Sequence, residues 1–493
     1  MPPSTGPHDA RTTDVLGPAV AHPPSVPPKA PEKGPPGRPP FDLPAALPGA
    51  SAQPIVPPRF AKDTPATERE KAIRKAYPEI APVGASAPAP SGPMTLAELQ
   101  HLATENSPVI RRAAAEADAQ YGAVIQAGLY PNPTVGYQVD QIQPGLRIPP
   151  GATFSGAGQQ GAFINQLIKT AGKLSLAQKV AGFDYINALV AVRRAQIDVT
   201  TAVRTAYFAA LVAERGVEVN RALVGLADEV YQLQLKQLAA GEAAGYEPLQ
   251  LYAQAEQARN ALTQAENTSR AAWIQLAAAA GRPDLTPAAL VGSADAPAPV
   301  FDFATVQARA LDQHTDVLTA RNTIARADVN LKLQRRLPIP DLTTNQYHQY
   351  DNAAQTYQFG VQLGVQLPLW DRNQGNIHQA TAQVVRANQA LLTTQNELIG
   401  QLAEAFGRYN TNRAIAERYR DKIIPNLTRA YRALIRRYQV EPEKVGFNDI
   451  VVAQQNLTQA LQAYLSALDG QWRAVVDVAN LGQLEELFPE PNK

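Results

Sequence analysis

The chain repeats one pattern at an offset of about 200 residues, and this duplication restricts it to folds built from two similar units. The Pro-X-Pro of Pro131-Asn132-Pro133 recurs as Pro338-Ile339-Pro340, 207 residues later. Drift around a constant offset, in unbroken order, is typical of a duplication whose loops have changed in length. Five further matches at offsets from 199 to 208 keep the same order: Val109 with Val317, Gln166-Leu167 with Gln366-Leu367, Val199, Val203, Ala206 and Tyr207 with Leu398, Leu402, Ala405 and Phe406, Gly245-Tyr246 with Gly446-Phe447, and Trp273 with Trp472.

Each copy predicts the same order of elements: a helix, two strands, a long helix and a returning helix. Thr95 and Glu98 form a capping-box pattern at the start of the first helix, and each Pro-X-Pro ends a helix and begins extended chain. Pro425 falls inside the second long helix and predicts a kink or local break there. The predicted elements span 95–128, 133–143, 159–168, 174–240 and 247–280 in the first copy, and 303–336, 341–350, 356–368, 376–438 and 446–481 in the second.

The first 93 residues differ in composition from the rest, since they contain 24 of the 42 prolines. Such a segment buries no core and favours extended, polyproline-like backbone. We interpret 1–93 as a disordered or semi-rigid arm, an inert spacer rather than a specific ligand segment, with a short helix around Thr67–Ala76. The duplication sets the other boundaries, with a first repeat at 94–292, a second repeat at 301–482 and a short tail at 483–493.

Charge, cysteine content and histidine spacing exclude several classes of protein. The net charge of +1 provides no field that would attract nucleic acid or acidic ligands. The absence of cysteine excludes a disulfide framework and a thiolate metal site. The six histidines are scattered without an i,i+4 pair, and no nucleotide-binding, metalloprotease or nucleophile-elbow motif is present. We therefore predict no enzymatic activity, cofactor or metal site, although His348 and His378 both fall near strand ends.

No membrane-spanning helix is predicted, because no run reaches about 18 apolar residues. Met1 to Ala50 shows neither the basic start nor the apolar stretch of about 7–15 residues that a secretory signal contains, so a signal peptide is not evident. Any evidence for a membrane must therefore come from the strands.

The last predicted strand carries the clearest indication of a membrane. Apolar and polar residues alternate strictly over 357–367, so all the apolar side chains share one face. This run of 11 residues fits a tilted membrane-spanning strand, which needs about 9–11, and its small uncharged polar residues suit a strand that lines a lumen. The predicted membrane-facing residues are Tyr357, Phe359, Val361, Leu363, Val365 and Leu367.

The other strands show this alternation more weakly, as in Val135, Tyr137 and Val139, and a half-buried sheet in a soluble protein is the alternative. Four strands cannot close a barrel, and lipid does not tolerate an open sheet edge. The membrane interpretation therefore requires an oligomer, and three chains would supply 12 strands. Aromatic residues at the strand ends predict an interfacial girdle: Tyr130, Tyr347, Tyr350, Tyr357 and Trp370.

Both long helices exceed the length that a globular domain requires, because about 67 residues span roughly 100 Å. Apolar positions step by three and four, as at Leu226, Val230 and Leu233, which is typical of coiled-coil packing. Alanines that allow close approach of helices line the seams: Ala253, Ala255, Ala258, Ala261 and Ala265. A soluble coiled-coil scaffold explains these helices but not the strand pairs inserted at the same place in both copies.

Three segments carry a resemblance to a known family. They are Leu129-Tyr130-Pro131-Asn132-Pro133, Gln166-Leu167-Ile168 leading to Gly172-Lys173, and Pro368-Leu369-Trp370-Asp371-Arg372-Asn373-Gln374-Gly375-Asn376. In combination they resemble TolC-like outer-membrane efflux proteins, and the resemblance covers all of 94–482. The last segment is most similar to the heavy-metal-efflux (CzcC/CusC-like) branch of that family.

The resemblance implies a mainly α fold with a small β part, made of two tandem helix–strand–strand–long-hairpin repeats. It implies a homotrimer with a 12-stranded transmembrane β-barrel in the outer membrane and an α-helical coiled-coil tunnel in the periplasm. Such a channel passively conducts metal cations or drugs to the exterior, served by a periplasmic adaptor and an inner-membrane pump. Lumen size and polarity, rather than a tight site, would give selectivity. A soluble periplasmic scaffold and a metal-binding periplasmic protein are the alternatives.

In this family the hairpin tips meet the adaptor and close the tunnel, so the resemblance points to two short segments. Gly241 fits the family's tip pattern, whereas Glu441 stands where the second tip would carry glycine. Asp449 matches a gate aspartate of the family, although a helix N-terminus alone also favours aspartate. Val452 occupies the position of a second gate aspartate, so the acidic gate would be thinner here. The candidate tip, gate and adaptor-contact residues are Gly241, Gly245, Tyr246, Tyr438, Gly446, Phe447 and Asp449.

Overall fold

Two runs of helices and strands follow one another in the order that the duplication predicts. A computed structural model describes residues 58, 60, 64–79, 92–141, 150, 158–352, 354–441 and 445–488. A helix in the arm, α1 (Ala66–Ala76), precedes the first run. The first run comprises α2 (Leu96–Asn106), α3 (Pro108–Gly128), β1 (Thr134–Asp140), β2 (Gln159–Ile168), α4 (Lys173–Ala240) and α5 (Glu247–Ala279). The second comprises α6 (Phe303–Gln313), α7 (Thr315–Arg336), β3 (Leu342–Asp351), β4 (Thr356–Val365), α8 (Gln374–Arg418), a π-helical turn (Tyr419–Ile423), α9 (Ile424–Val440) and α10 (Phe447–Leu481).

The helix that opens each repeat is divided in two, so the prediction of single helices at 95–128 and 303–336 was wrong. In the first repeat the break lies at Ser107, because Pro108 pushes the residue before it out of helical backbone. His314 holds the equivalent place in the second repeat, and its Nδ1 accepts a hydrogen bond from the Asp316 amide (3.2 Å). At both breaks a side chain caps the next helix, so one of its free N–H groups is hydrogen-bonded. The capping box predicted at Thr95 is confirmed.

The long helices differ between the repeats. In the first, α4 runs unbroken for 68 residues, about 100 Å. The second is interrupted by the π turn at Tyr419–Ile423, one turn before Pro425. Proline donates no backbone hydrogen bond, and a widened turn upstream accommodates that loss. The predicted local break is therefore confirmed, just ahead of the proline. No helix in the described part of the chain is both long and apolar enough to cross a membrane.

Several residues matched by the duplication lie in the core at which the two repeats meet. Tyr207 and Phe406 are buried there, as are Trp273 and Trp472. The Trp472 ring stacks on Phe208 of the other repeat, with ring centroids 4.1 Å apart and planes within 3°. The repeats therefore pack through a shared apolar centre rather than as two independent units.

The segment at 282–302 joins the repeats and is held by side chains from both. Tyr409 Oη donates to the Pro299 carbonyl (2.6 Å), and Trp472 Nε1 donates to the Ala294 carbonyl (2.8 Å). From the first repeat, Tyr207 donates its hydroxyl hydrogen to the Val291 carbonyl. This segment therefore serves as a strap over the shared core.

The four strands form one antiparallel sheet in the order β1-β2-β3-β4. Pairing of β2 with β3 joins the two repeats, and β1 and β4 lie at the sheet edges. The prediction that the last strand extends to 368 was wrong, since β4 ends at Val365. The register would pair Leu367 with Pro340, which has no N–H to donate. Leu367 thus lies beyond the strand, 65% exposed. The part of the first predicted strand at 142–143 lies outside the described residues.

Part of the proline-rich arm packs against the first helical hairpin. The helix predicted around Thr67–Ala76 forms as α1 and buries Ile73, and Tyr77 is buried just after it. Tyr77 Oη donates to the Gly245 carbonyl at the first tip (2.9 Å), and Tyr231 Oη of α4 donates to the Pro78 carbonyl (2.8 Å). Apolar burial and two hydrogen bonds offset the tendency of the surrounding prolines towards extended chain. Residues 1–57 lie outside the described residues.

Candidate functional site

One face of the sheet carries exposed apolar side chains on its two edge strands. The predicted membrane-facing residues of β4, from Tyr357 to Val365, share this face and are 55–73% exposed. On the other edge strand, β1 contributes the exposed Val135 and Tyr137 and the half-buried Val139 to the same face. An aqueous environment would disfavour so many exposed large apolar side chains, since each costs hydrophobic free energy.

Among the central strands, β2 adds the exposed Ile164 and Ile168 to this face, whereas β3 interrupts it. From β3 it receives Thr344, Gln346 and His348. His348 stacks on Tyr357, with centroids 5.4 Å apart, and Tyr350 lies 5.0 Å from the same ring. Two members of the predicted aromatic girdle, Tyr350 and Tyr357, thus meet at the end of the sheet away from the long helices.

The opposite face is polar and uncharged at most positions. Gln138, Gln349 and Gln358 share one cross-strand row, and Asn165, Asn345 and Gln362 share another. Between these rows lie two aromatic residues, Phe163 and Tyr347. The prediction that Tyr347 belongs to the interfacial girdle was therefore wrong, because the β3–β4 register turns it to the polar face.

A charged cluster joins the repeats where the strands meet the helices. Asp341 accepts hydrogen bonds from Lys173 Nζ (2.7 Å), Lys169 Nζ (2.9 Å) and the Thr170 amide (3.0 Å). Burial alone would raise the Asp341 pKa, but the hydrogen bonds outweigh it and hold that pKa well below its ordinary value. The side chains are 16% exposed for Asp341 and 6% for Lys173. Sequence matching noted Lys173, but only the fold reveals Asp341 as its partner.

The first hairpin tip is built around glycine. Gly241 ends α4 with φ +84°, a left-handed conformation that L side chains rarely adopt. The Glu242 amide donates to the Gln237 carbonyl (3.0 Å), which closes the helix end. Of the other predicted residues at this tip, the Gly245 carbonyl accepts the hydrogen bond from Tyr77 Oη, and Tyr246 is 62% exposed.

The second tip touches the first through a side chain that the sequence pattern did not single out. The Gln237 side-chain amide donates to the hydroxyl of Tyr438, which is buried. The Tyr438 and Phe447 rings are 6.2 Å apart, edge to face. The Gly446 amide donates to Asp449 Oδ2 (3.2 Å), so Asp449 caps its own helix while remaining exposed. Residues 442–444 of this tip lie outside the described residues.

Metal-ligating side chains do not converge anywhere in the part of the chain that the structure describes, where no group of three or more His, Asp or Glu could hold a metal ion. His348 instead packs on Tyr357. The chemistry available at the sheet and tips is therefore that of exposed apolar surface, amide-lined surface and helix ends.

A family model described as outer membrane efflux protein matches residues 99–282 and 306–481, which are the two repeats. The chain belongs to the outer membrane efflux protein family. Members of this family are channels rather than enzymes. A curated relative, the cobalt-zinc-cadmium resistance protein CzcC of Cupriavidus metallidurans, is 25% identical over 394 residues, which cover 79% of this chain and 90% of CzcC. This match agrees with the branch that the Pro368–Asn376 motif indicated.

Solved outer membrane channels share the fold. A membrane protein from Pseudomonas aeruginosa aligns with 78% of this chain and 90% of its own, with a TM-score of 0.65 at 18% identity. The channel CmeC of Campylobacter jejuni aligns with 80% of this chain and 87% of its own (TM-score 0.61, 16% identity). CusC aligns with 78% and 91% (TM-score 0.62, 15% identity). These likenesses establish a mainly helical fold with a small sheet.

Proposed function

We propose that three copies of this chain form an outer-membrane channel, with a 12-stranded barrel and a periplasmic helical tunnel. The open four-stranded sheet, with apolar side chains exposed along both edge strands, carries this proposal. Because β1 and β4 run in opposite directions, β4 of one chain can pair antiparallel with β1 of the next. Such pairing would satisfy the edge N–H and C=O groups, which lipid does not tolerate unpaired.

Helix length supports the assignment of a tunnel. At about 100 Å, α4 is roughly three times the hydrocarbon thickness of a bilayer, about 30 Å. The helices begin at the end of the sheet where Asp341 lies, so they project from one side of a membrane that contains the sheet. In an outer membrane that side is the periplasm, and the tips would there meet an adaptor and an inner-membrane pump.

We propose metal cations as the substrate class ahead of drugs, because CzcC is named for resistance to cobalt, zinc and cadmium. Most ligands on the polar face are neutral amides, and its carboxylates Asp140 and Asp351 lie in the row next to the β3–β4 hairpin. A cation would therefore pass hydrated, and selectivity would come from lumen size and polarity.

Membrane fractionation of cells producing the full chain tests the assembly. We expect recovery in the outer-membrane fraction and, on unheated denaturing gels, a band at three times the mass of the 53.0 kDa chain. Heating should convert that band to the monomer. Recovery as a soluble monomer would refute the channel and favour a soluble coiled-coil scaffold.

Isothermal titration of the purified chain with Zn²⁺ or Cu²⁺ tests passive conduction separately. We expect no tight binding, because conduction requires that ions leave as readily as they enter. A stoichiometric, tight site would favour the metal-binding alternative instead.

A further inference from the structure

Two aromatic rings and two glycines occupy one row across all four strands. In the register, Gly136 lies opposite Phe163, Phe163 opposite Tyr347, and Tyr347 opposite Gly360. This aromatic–glycine row belongs to the polar face, between the glutamine row at Gln358 and the amide row at Gln362. Each ring therefore has a glycine as its neighbour on an edge strand.

The rings lie down over the glycines rather than standing away from the sheet. A Cβ built on Gly136 would lie 2.5 Å from Phe163 Cζ, closer than real Cβ atoms approach. A Cβ on Gly360 would overlap the Tyr347 ring at Cζ and Oη. Gly360 is also the one residue of β4 that is partly covered, while the rest of the strand is exposed. Aromatic side chains that cover glycine in this way stabilise sheets.

A second glycine on the same strand and face lacks this covering. Gly364 lies four residues from Gly360, and nothing lies within 4 Å of a Cβ built on it. Glycine at 360 therefore has a steric role that glycine at 364 does not have.

We propose that Gly136 and Gly360 keep the barrel lumen wide by holding the Phe163 and Tyr347 rings flat against its wall. This inference rests on the proposed function, in which the polar face lines the lumen. A side chain at either glycine would push the neighbouring aromatic ring away from the wall and towards the pore axis. In a trimer this displacement would occur in all three chains. The row would then become the narrowest part of the barrel, which large solutes cross slowly.

Single-cysteine labelling tests this, because the natural chain contains no cysteine. The β3–β4 hairpin lies at the end of the sheet away from the helices, the external end in the proposed function. Gln358→Cys lies on the external side of the row and Gln362→Cys on the internal side. Intact cells would be treated with a small thiol reagent and with a bulky, membrane-impermeant maleimide. At position 362, the rate of labelling by the bulky maleimide is divided by the rate of labelling by the small reagent. This ratio reports how readily a large solute crosses the aromatic–glycine row.

We expect Gly360→Val to lower that ratio at least about tenfold, because pore diameter limits passage, and Gly364→Val to leave it unchanged. Positions 360 and 364 each lie two residues from position 362. A valine at either position therefore crowds the thiol at position 362 to a similar extent, and the two variants are matched controls. Adding Tyr347→Ala to Gly360→Val should restore the ratio, since no ring is left to lift. Gly136→Val provides an independent test through Phe163, should Gly360→Val fail to assemble.

Equal ratios for Gly360→Val and Gly364→Val, or no restoration by Tyr347→Ala, would overturn the inference while leaving the channel intact. Absence of bulky labelling at both 358 and 362 in the chain with all glycines present would instead overturn the proposed function, and this inference with it.

Discussion

Replacing Asp341 by asparagine is expected to weaken the junction between the two repeats. Asp341 accepts hydrogen bonds from two ammonium groups and one backbone amide, at 2.7–3.0 Å. Removal of its charge leaves the Lys173 ammonium, only 6% exposed, without its counter-charge and with neutral acceptors such as the Ile339 carbonyl. A buried charge without its counter-charge is costly, because the protein replaces little of its lost hydration.

Loss of one partner from a buried ion pair costs about 3–5 kcal/mol. Asp341 is 16% exposed, and asparagine still accepts a hydrogen bond, so we expect about 3 kcal/mol. Lys169 binds the same carboxylate but is 33% exposed. Lys169→Ala should therefore cost less than about 1 kcal/mol, as exposed pairs do. Both substitutions remove a charge at the same ion cluster. Asp341→Asn leaves a buried lysine without its counter-charge, whereas Lys169→Ala removes an exposed lysine.

Hydrogen–deuterium exchange of the Thr170 amide provides a local assay, because this amide donates to Asp341. A local loss of about 3 kcal/mol accelerates exchange roughly 100-fold, since a factor of ten corresponds to about 1.4 kcal/mol. Lys173→Met combined with Asp341→Asn should recover part of the loss, because it removes the stranded charge. An acceleration below about tenfold for Asp341→Asn, or equal effects of Asp341→Asn and Lys169→Ala, would refute the reasoning.

The same carboxylate makes the junction sensitive to acid. Its pKa in the folded chain lies below the ordinary value of 3.8, so the stabilisation is complete well above pH 3.8 and is lost as the pH falls below it. Exchange at Thr170, corrected for intrinsic rates, should therefore accelerate on acidification in the natural chain. In Asp341→Asn this acid dependence should be smaller, and an unchanged dependence would assign it to other groups.

Three further outcomes follow from the core, the first tip and the arm. Trp472→Ala should cost about 3–5 kcal/mol in thermal unfolding, because the ring is 1% exposed and stacked, whereas Ile274→Ala, 58% exposed, should change little. Gly241→Ala should cost about 1 kcal/mol at its positive φ, and an unchanged melting temperature would contradict this. Burial raises the pKa of Tyr231 to about 12, above its ordinary 10.0. The docking of α1 is thus complete below pH 10 and should weaken as the pH rises towards 12. Hydrogen–deuterium exchange over Ala66–Ala76 would then become faster. Exchange that does not depend on pH, after correction for intrinsic rates, would show that the Tyr231 hydroxyl does not hold the helix.

Local patterns predicted the order of elements because they are repeated twice in the chain. Strict alternation over 357–367 identified β4, and three-four spacing identified the long helices. The duplicated pairs, such as Trp273 with Trp472, turned out to be core residues. Packing requirements at the core of each repeat are similar, which explains why they carry the same residue types.

Features that depend on tertiary contacts escaped prediction. Nothing in the sequence near Tyr347 indicates which face it occupies, since a shift of one residue in register reverses the face. His314 resembles any helical residue until its cap is seen, and Asp341 lies 168 residues from Lys173. The docking of α1 depends on Tyr231 in a different part of the chain. Membrane exposure, trimer assembly and the roles of the tip residues stay predictions, because they concern partners outside a single chain.

The pairing of β2 with β3 also affects the order in which the sheet can form during synthesis of the chain. Gln159 and Asp351, at one end of that pair, are separated by 192 residues. At a synthesis rate of about 5–20 residues per second, β2 waits roughly 10–40 s for its neighbour to be made. An uncovered strand edge is prone to pair with other chains. The β3-facing edge of β2 therefore stays without its partner until the second half of the polypeptide has been translated.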